Sequence, residues 1–371
     1  MEQNKNKSLS YLIVTVLFVG ILLTCSIFFL TASAIRSDSA QAPDCYDGSV
    51  IEGESFFAHF SRAVYQNRSL LSFIEKCEYH LFKNVNDPNV LVGKENFLFE
   101  VEDTENNYNY LQDYKGNAAF GEKQNAAVLA ELKRREAFYA EKGAEYLLVV
   151  LPNAQSVYSE YMPDYLGNIS NNTRLCVLDR YLRHNGFTSF LNLTEELKEH
   201  KAEGLLYNNT ENSLNARGMY YVYLAVCSRF SDEVLQHATP RPISQLTCFE
   251  HWTKGKEIAR RAGLSEVVQN RTVSLSGDTT TRYRYTFNVG LCARTVKIDY
   301  SMNQIHTPPL LLQFTDTWER SQIEPFFSNT FSSVTYQTNL EADEGIFAQA
   351  LPNVVIQFIY ENELSRLLPQ A

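Results

Sequence analysis

The chain has 371 residues, 44% of them hydrophobic and 20% charged, enough for one large folded domain with accessories or two ordinary ones. A net charge of -10 excludes nucleic acid as the expected partner, because phosphate binding needs a clustered basic face and no Lys/Arg-rich run occurs. The 23 Phe and 22 Tyr suit a sheet-built core and a carbohydrate-facing surface alike.

Residues 1–10 form a short polar tail, and residues 11–35 are almost wholly apolar. That run is long enough to cross a bilayer core of about 30 Å. Lys5 and Lys7 precede it, which places the tail in the cytoplasm and the rest of the chain outside. The expected localisation is the cell membrane, single-pass, with the C-terminal domain extracytoplasmic. A cleavable signal peptide is the competing reading, since Ala32-Ser33-Ala34 fits a cleavage site. Cys45, Cys77, Cys176, Cys227, Cys248 and Cys292 then lie outside, where an oxidising compartment permits up to three disulfides. Their spacing fits no zinc site, and neither a metal nor a cofactor is expected. Asn67, Asn168, Asn171, Asn192, Asn208 and Asn270 each begin an N-x-S/T sequon.

Residues 36–55 read as a stalk and 56–82 as helical; together the segment 36–89 precedes the main domain, 90–371. Residues 89–99 read as strand, tight turn and strand. A long helix comes next over 124–142, ended by Gly143. Tyr146-Leu147-Leu148-Val149-Val150-Leu151 is apolar at every position, as in a parallel strand buried on both faces. Helix over 175–185, strand over 188–193 and helices over 194–201 and 218–230 continue the alternation, so the fold class is α/β with a mainly parallel sheet. Residues 272–275 and 281–287 alternate polar and apolar around Gly277-Asp278, which predicts a β-hairpin insertion around 270–300, extended by 293–300. Strands at 310–314, 333–336 and 354–358 with intervening helices close the chain.

Several of these segments, in order, resemble one family. Val92-Gly93-Lys94-Glu95-Asn96-Phe97-Leu98-Phe99 is similar to a V-G-K-D-G-W-L-F opening, and Asp113-Tyr114-Lys115-Gly116 to D-Y-x-G. Residues 141–163, through Pro152-Asn153-Ala154-Gln155-Ser156-Val157-Tyr158, resemble K-G-x-x-F-L-V-V-x-P-N-K-x-S-I-Y-P-E-Y-L-P. Residues 207–218 have the frame Y-x-x-T-D-x-H-W-N-x-x-G. From about Val90 to Leu367 the chain thus resembles the SGNH-hydrolase-like domain of alginate O-acetyltransferase type (AlgX/AlgJ-like, with the related DHHW proteins). The resemblance implies a three-layer α/β/α sandwich and export through one N-terminal membrane helix. It also implies work on acetyl groups of a cell-surface polysaccharide, commonly beside a membrane-bound O-acyltransferase.

The family's Ser-His-Asp chemistry does not carry over residue by residue. Glu211 stands at the Asp position, Ser213 at the His position and Leu214 at the Trp. The G-D-S-F turn aligns with Thr315-Asp316-Thr317-Trp318, so Asp316 is kept and Thr317 replaces the Ser. Ser213 cannot accept a proton near neutral pH, and losing a general base costs roughly 10²- to 10⁴-fold. Thr317, Ser213 and Glu211 are therefore expected to be degenerate catalytic positions. Asn153, Tyr158, Glu160, Tyr161 and Asp316 are candidates for contact with a glycan, with packing, and for Asp316 helix capping, as the plain alternative. Three functions are compatible with this pattern: a non-catalytic protein that binds or assists O-acetylation of a polysaccharide, an active acetyltransferase or esterase with a relocated base, and a non-enzymatic surface glycoprotein.

Overall fold

The computed structural model describes residues 87–230, 239–276, 283–288, 293–298, 307–315 and 317–369, with Lys76, Tyr79 and Val85 besides. The apolar run at 11–35, the stalk, and most of the helical expectation over 56–82 lie outside the described residues; Lys76 and Tyr79 are helical. Among the described residues no helix is long and apolar enough to cross a membrane. The chain divides into two compact units, residues 1–82 and 83–371, and the second holds the sheet and the helices that cover it.

A hairpin of β1 (Val90–Val92) and β2 (Leu98–Glu100) opens this second unit. Its turn puts both Glu95 (φ 52) and Asn96 (φ 62) in the left-handed region, where Asn is at home and Glu is not. The small ribbon of β3 (Glu102–Asp103) and β4 (Tyr108–Asn109) leads into helix α1 (Tyr110–Tyr114). Helix α2 (Glu122–Glu141) comes after it, and Gly143 takes φ +77 where the chain must turn back.

The main sheet is built from β5 (Glu145–Leu151), β6 (Phe190–Asn192), β9 (Tyr283–Asn288), β10 (Ala293–Ile298), β11 (Leu310–Phe314), β12 (Ser333–Gln337) and β13 (Val354–Tyr360). Their spatial order is β6-β5-β13-β11-β12-β10-β9. The first five are parallel and the last two antiparallel. Because strand side chains alternate, Leu147, Val149 and Leu151 of β5 enter one core while Tyr146, Leu148 and Val150 enter the other. The first core is closed by short helix α3 (Ala154–Val157), α5 (Thr194–Glu199), α6 (Ala216–Cys227) and α8 (Thr317–Thr330). The second is closed by α2, α4 (Arg174–His184) and α9 (Glu344–Ala350). Helices thus cover both faces of a mainly parallel sheet.

The expected hairpin around 270–300 is corrected. The strand β8 (Asn270–Ser276) pairs not with 281–287 but with β7 (Thr247–Thr253), in a separate antiparallel ribbon whose strands are joined through helix α7 (Glu257–Arg261). Strands β9 and β10 do form a hairpin, but they extend the main sheet instead of standing apart from it. Alternation marks a half-buried strand without naming its neighbour.

Polar side chains enter the second core at one level. Gln313, Gln337 and Gln357 sit side by side on β11, β12 and β13. Gln313 Nε2 donates to Gln337 Oε1 (2.7 Å), and Gln357 Nε2 to Gln313 Oε1 (2.8 Å). Arg135 Nη1 (2.8 Å) and the Tyr146 hydroxyl (2.6 Å) donate to Gln357 Oε1, and Tyr139 donates to Gln313 Oε1 (3.1 Å).

Candidate functional site

In an open α/β sheet, residues just past the carboxyl ends of neighbouring strands are brought together, and ligands bind there. In this sheet Pro152-Asn153 succeeds β5, Thr315 succeeds β11 and Glu361 succeeds β13. Glu361 is wholly buried. Its Oε2 accepts from Ser156 Oγ (2.7 Å) and from the backbone N–H of Asn153 (2.8 Å). Burial, with the charge of Asp113 adding to it, pushes the Glu361 carboxyl up to about 7. The Asn153 side-chain amide donates to the Tyr108 hydroxyl (3.0 Å), which donates to Asp113 Oδ2 (2.6 Å). Asp113 Oδ1 accepts the backbone N–H of Arg174 (2.7 Å), and burial raises Asp113 as well. The Arg174 guanidinium lies 4.7 Å from the ring centroids of both Tyr108 and Phe120. This buried carboxylate network is the strongest electrostatic feature of the strand ends.

The turn over 207–215 is a separate, rigid unit. Tyr207 and Leu214 form an isolated bridge, and the Tyr207 hydroxyl donates to the Pro152 carbonyl (2.5 Å). Ser213 is buried and its Oγ accepts from Asn208 Nδ2 (3.1 Å), which also reaches Glu211 Oε2 (3.2 Å). Glu211 lies 3.9 Å from Lys256 Nζ. Asn270 joins the turn to β8: its amide donates to Asn208 Oδ1 (3.3 Å) and its Oδ1 accepts from Thr210 (2.9 Å). Asn208 is 5% exposed and Asn270 0%, so neither sequon is open to a glycan in the folded chain. Among the described histidines, His200 stacks on Tyr221, and His184 and His251 sit at exposed positions; His306 lies outside them.

Thr317 begins α8, and nothing is described of its side chain; Asp316 lies outside the described residues. Just before them, Thr315 Oγ1 donates to Glu363 Oε2 at 2.6 Å, and burial raises the Glu363 carboxyl. A cleft of about 1340 Å³ opens at Thr315, lined also by Arg134, Arg135, Arg174, Glu341 and Arg366. A second cleft, of about 350 Å³, is lined by Glu361, Ser156 and Thr173 among others.

The proposed glycan contacts are placed unevenly. Tyr158 is 2% exposed, stacks on Tyr161 (5.4 Å) and accepts the Leu206 N–H (2.9 Å), so its ring works inside the core. Glu160 is exposed and pairs with Lys201 (2.6 Å), and Tyr161 is half-buried against Phe97 (4.7 Å). Asn153 is buried in the Glu361 network. Cys176, Cys227 and Cys248 are free thiols, so none of the up to three permitted disulfides involves them; Cys45, Cys77 and Cys292 lie outside the described residues. Sequence reasoning missed Glu361, Tyr108 and Arg174. The available signal was a carboxylate directly after a strand buried at every position.

No protein-family model matches the chain, and no curated protein matches it. Among solved structures it is similar to the O-acetyltransferase domain of Pseudomonas putida AlgJ, at 14% identity over 75% of this chain and 93% of that one (TM-score 0.47). It is also similar to a DHHW family protein from Eubacterium siraeum DSM 15702, at 13% identity over 76% of this chain and 100% of that one (TM-score 0.48). Bacillus cereus PatB1 is a third, at 12% identity over 76% and 97% (TM-score 0.48).

Proposed function

We propose that this protein is a membrane-anchored, extracytoplasmic SGNH-like protein that binds a cell-surface polysaccharide, or assists its O-acetylation beside a membrane-bound O-acyltransferase, without running a Ser-His-Asp reaction itself. One observation carries the reading. Ser213, at the position where a base is needed, is buried and held by the Asn208 amide in a turn of amides and hydroxyls. A hydroxyl there takes no proton near neutral pH, and triad members act as a unit, so the loss is not made up by Thr317 or Glu211. The turn around it is braced to the end of β5 and to β8, and a wide cleft at Thr315 gives a polysaccharide room to bind.

A second reading is favoured by the Thr315–Glu363 hydrogen bond. It puts a carboxylate of raised pKa beside Thr315, two positions before Thr317, where it would serve as a relocated base for an active esterase or acetyltransferase. The test is acetyl-ester turnover by the full chain and by the triple variant Glu211→Asp/Ser213→His/Thr317→Ser. The expected result is silence in the wild type and turnover in the variant. Wild-type turnover abolished by Thr317→Ala or Glu363→Gln would replace the first reading with the second.

A further inference from the structure

The smaller cleft is lined by neither Ser213, Glu211 nor Thr315, so it stands apart from the acetyl-transfer positions. Its volume of about 350 Å³ lies in the range of small-molecule sites. Glu361 reaches it from the end of β13, wholly buried, with Oε2 fixed by Ser156 and Asn153. The other carboxyl oxygen, Oε1, has no protein partner. A buried acceptor left unpaired is costly, and a ligand hydroxyl donated to it removes that cost.

The rest of the lining fits a ligand of that kind. Asn171, Ser170, Asn192 and Thr194 line the cleft, with Thr194 Oγ1 donating to Asn192 Oδ1 (2.7 Å). The rim charges are already engaged: Arg183 with Asp179 (2.7 Å), Lys198 with Glu195 (2.9 Å), and Arg180 with the Asn171 carbonyl (3.0 Å). The lining sets Arg180, Arg183 and Lys198 against Asp179, Glu195 and Glu361, so it offers an anion no excess of positive charge. An uncharged ligand rich in hydroxyls meets every one of these conditions.

We infer that this cleft binds one unit of a neutral, hydroxyl-rich glycan, with a sugar hydroxyl donating to Glu361 Oε1. The inference rests on the polysaccharide-binding reading for its class of ligand and on the cleft for its place and its preference for an uncharged sugar. The raised pKa of Glu361 is consistent with it, since a carboxyl that is half protonated near neutral pH pairs with a hydroxyl in either state.

Cys176 supplies the readout, being a free, half-buried thiol that lines the cleft. The full chain is titrated calorimetrically with neutral tetrasaccharides (cellotetraose, chitotetraose) and with acidic tetramannuronate. Maleimide labelling of Cys176 is followed in parallel by peptide mass mapping at pH 8, because burial raises the thiol pKa and slows the reaction. The expected result is that a neutral tetrasaccharide binds and protects Cys176. Glu361→Gln, which keeps the side-chain shape but turns a donor toward the cleft, is expected to weaken binding about tenfold. Asn171→Ala, at an exposed rim position where folding is not at stake, is expected to weaken it too. Protection by tetramannuronate alone would overturn the ligand class. Calorimetric binding of a glycan with no protection of Cys176 would overturn the site and leave the polysaccharide reading standing. No glycan binding at all would overturn both.

Discussion

Ser156 and Glu361 are 205 positions apart in sequence, yet Ser156 Oγ donates to Glu361 Oε2 across 2.7 Å. The sheet makes this meeting. Strands β5 and β13 run parallel in register from Glu145↔Val354 to Leu151↔Tyr360, so they end at the same level, and the residues just beyond them share one buried place.

That place sets a pH dependence. In the unfolded chain Glu361 titrates near 4.5; in the folded chain burial holds it at about 7. Between those values the folded state binds more protons than the unfolded one, so this group makes stability fall as pH rises from 4.5 to 7. The contribution is on the order of 3 kcal/mol. Urea unfolding of the wild type and Glu361→Gln at several pH values should show the variant gaining on the wild type as pH rises. Parallel curves would remove the assignment.

The glutamine ladder should behave as a unit. Replacing Gln357 by Leu leaves Gln313, Arg135 and Tyr146 each short of a partner inside the core. A loss of about 2–5 kcal/mol is expected in the unfolding free energy. A loss below about 1 kcal/mol would mean that the network relaxes around the gap.

Two glycines separate close packing from backbone conformation. A Cβ on Gly218 would collide with the Leu206 carbonyl oxygen and meet Leu214 Cδ2 at 2.6 Å, so Gly218→Ala must push α6 off the 206–214 turn. Gly143 has open space but φ +77. Gly143→Ala should cost about 1 kcal/mol from the left-handed backbone alone, and Gly218→Ala distinctly more, about 1–3 kcal/mol or above. Thermal unfolding of the two variants checks the order.

Leu351 ends α9 in the left-handed conformation, φ 44, with 68% of its surface exposed. Glycine takes that conformation without a Cβ penalty. Leu351→Gly should raise stability by about 0.5–1 kcal/mol. A lower melting temperature for that variant would count against the assignment.

Much of the fold was legible from local pattern. The runs at 146–151, 310–314 and 354–358 announced parallel strands because a strand buried on both faces has no polar side to show. Helix α2 and its glycine stop were readable for the same local reason. The 270–300 region was misjudged because alternation leaves the partner strand open; β8 found β7, seventeen to twenty-nine residues back across the Thr253↔Asn270 to Thr247↔Ser276 ladder. Of the site, the sequence pointed to the 207–215 turn and to Asn153, and missed Glu361.

By itself the sequence determined which residues stand at the positions that its resemblance aligns with an Asp, a His and a Ser: Glu211, Ser213 and Thr317. Such substitutions are covalent facts and need no fold to be read. Only the tertiary structure decided that Glu361 is a raised-pKa carboxyl with one free oxygen, that Ser156 is its donor, and that Asn208 holds Ser213. The acidity of Glu361 depends on burial and on a neighbour 205 residues away, and both are fixed only when the strands come into register.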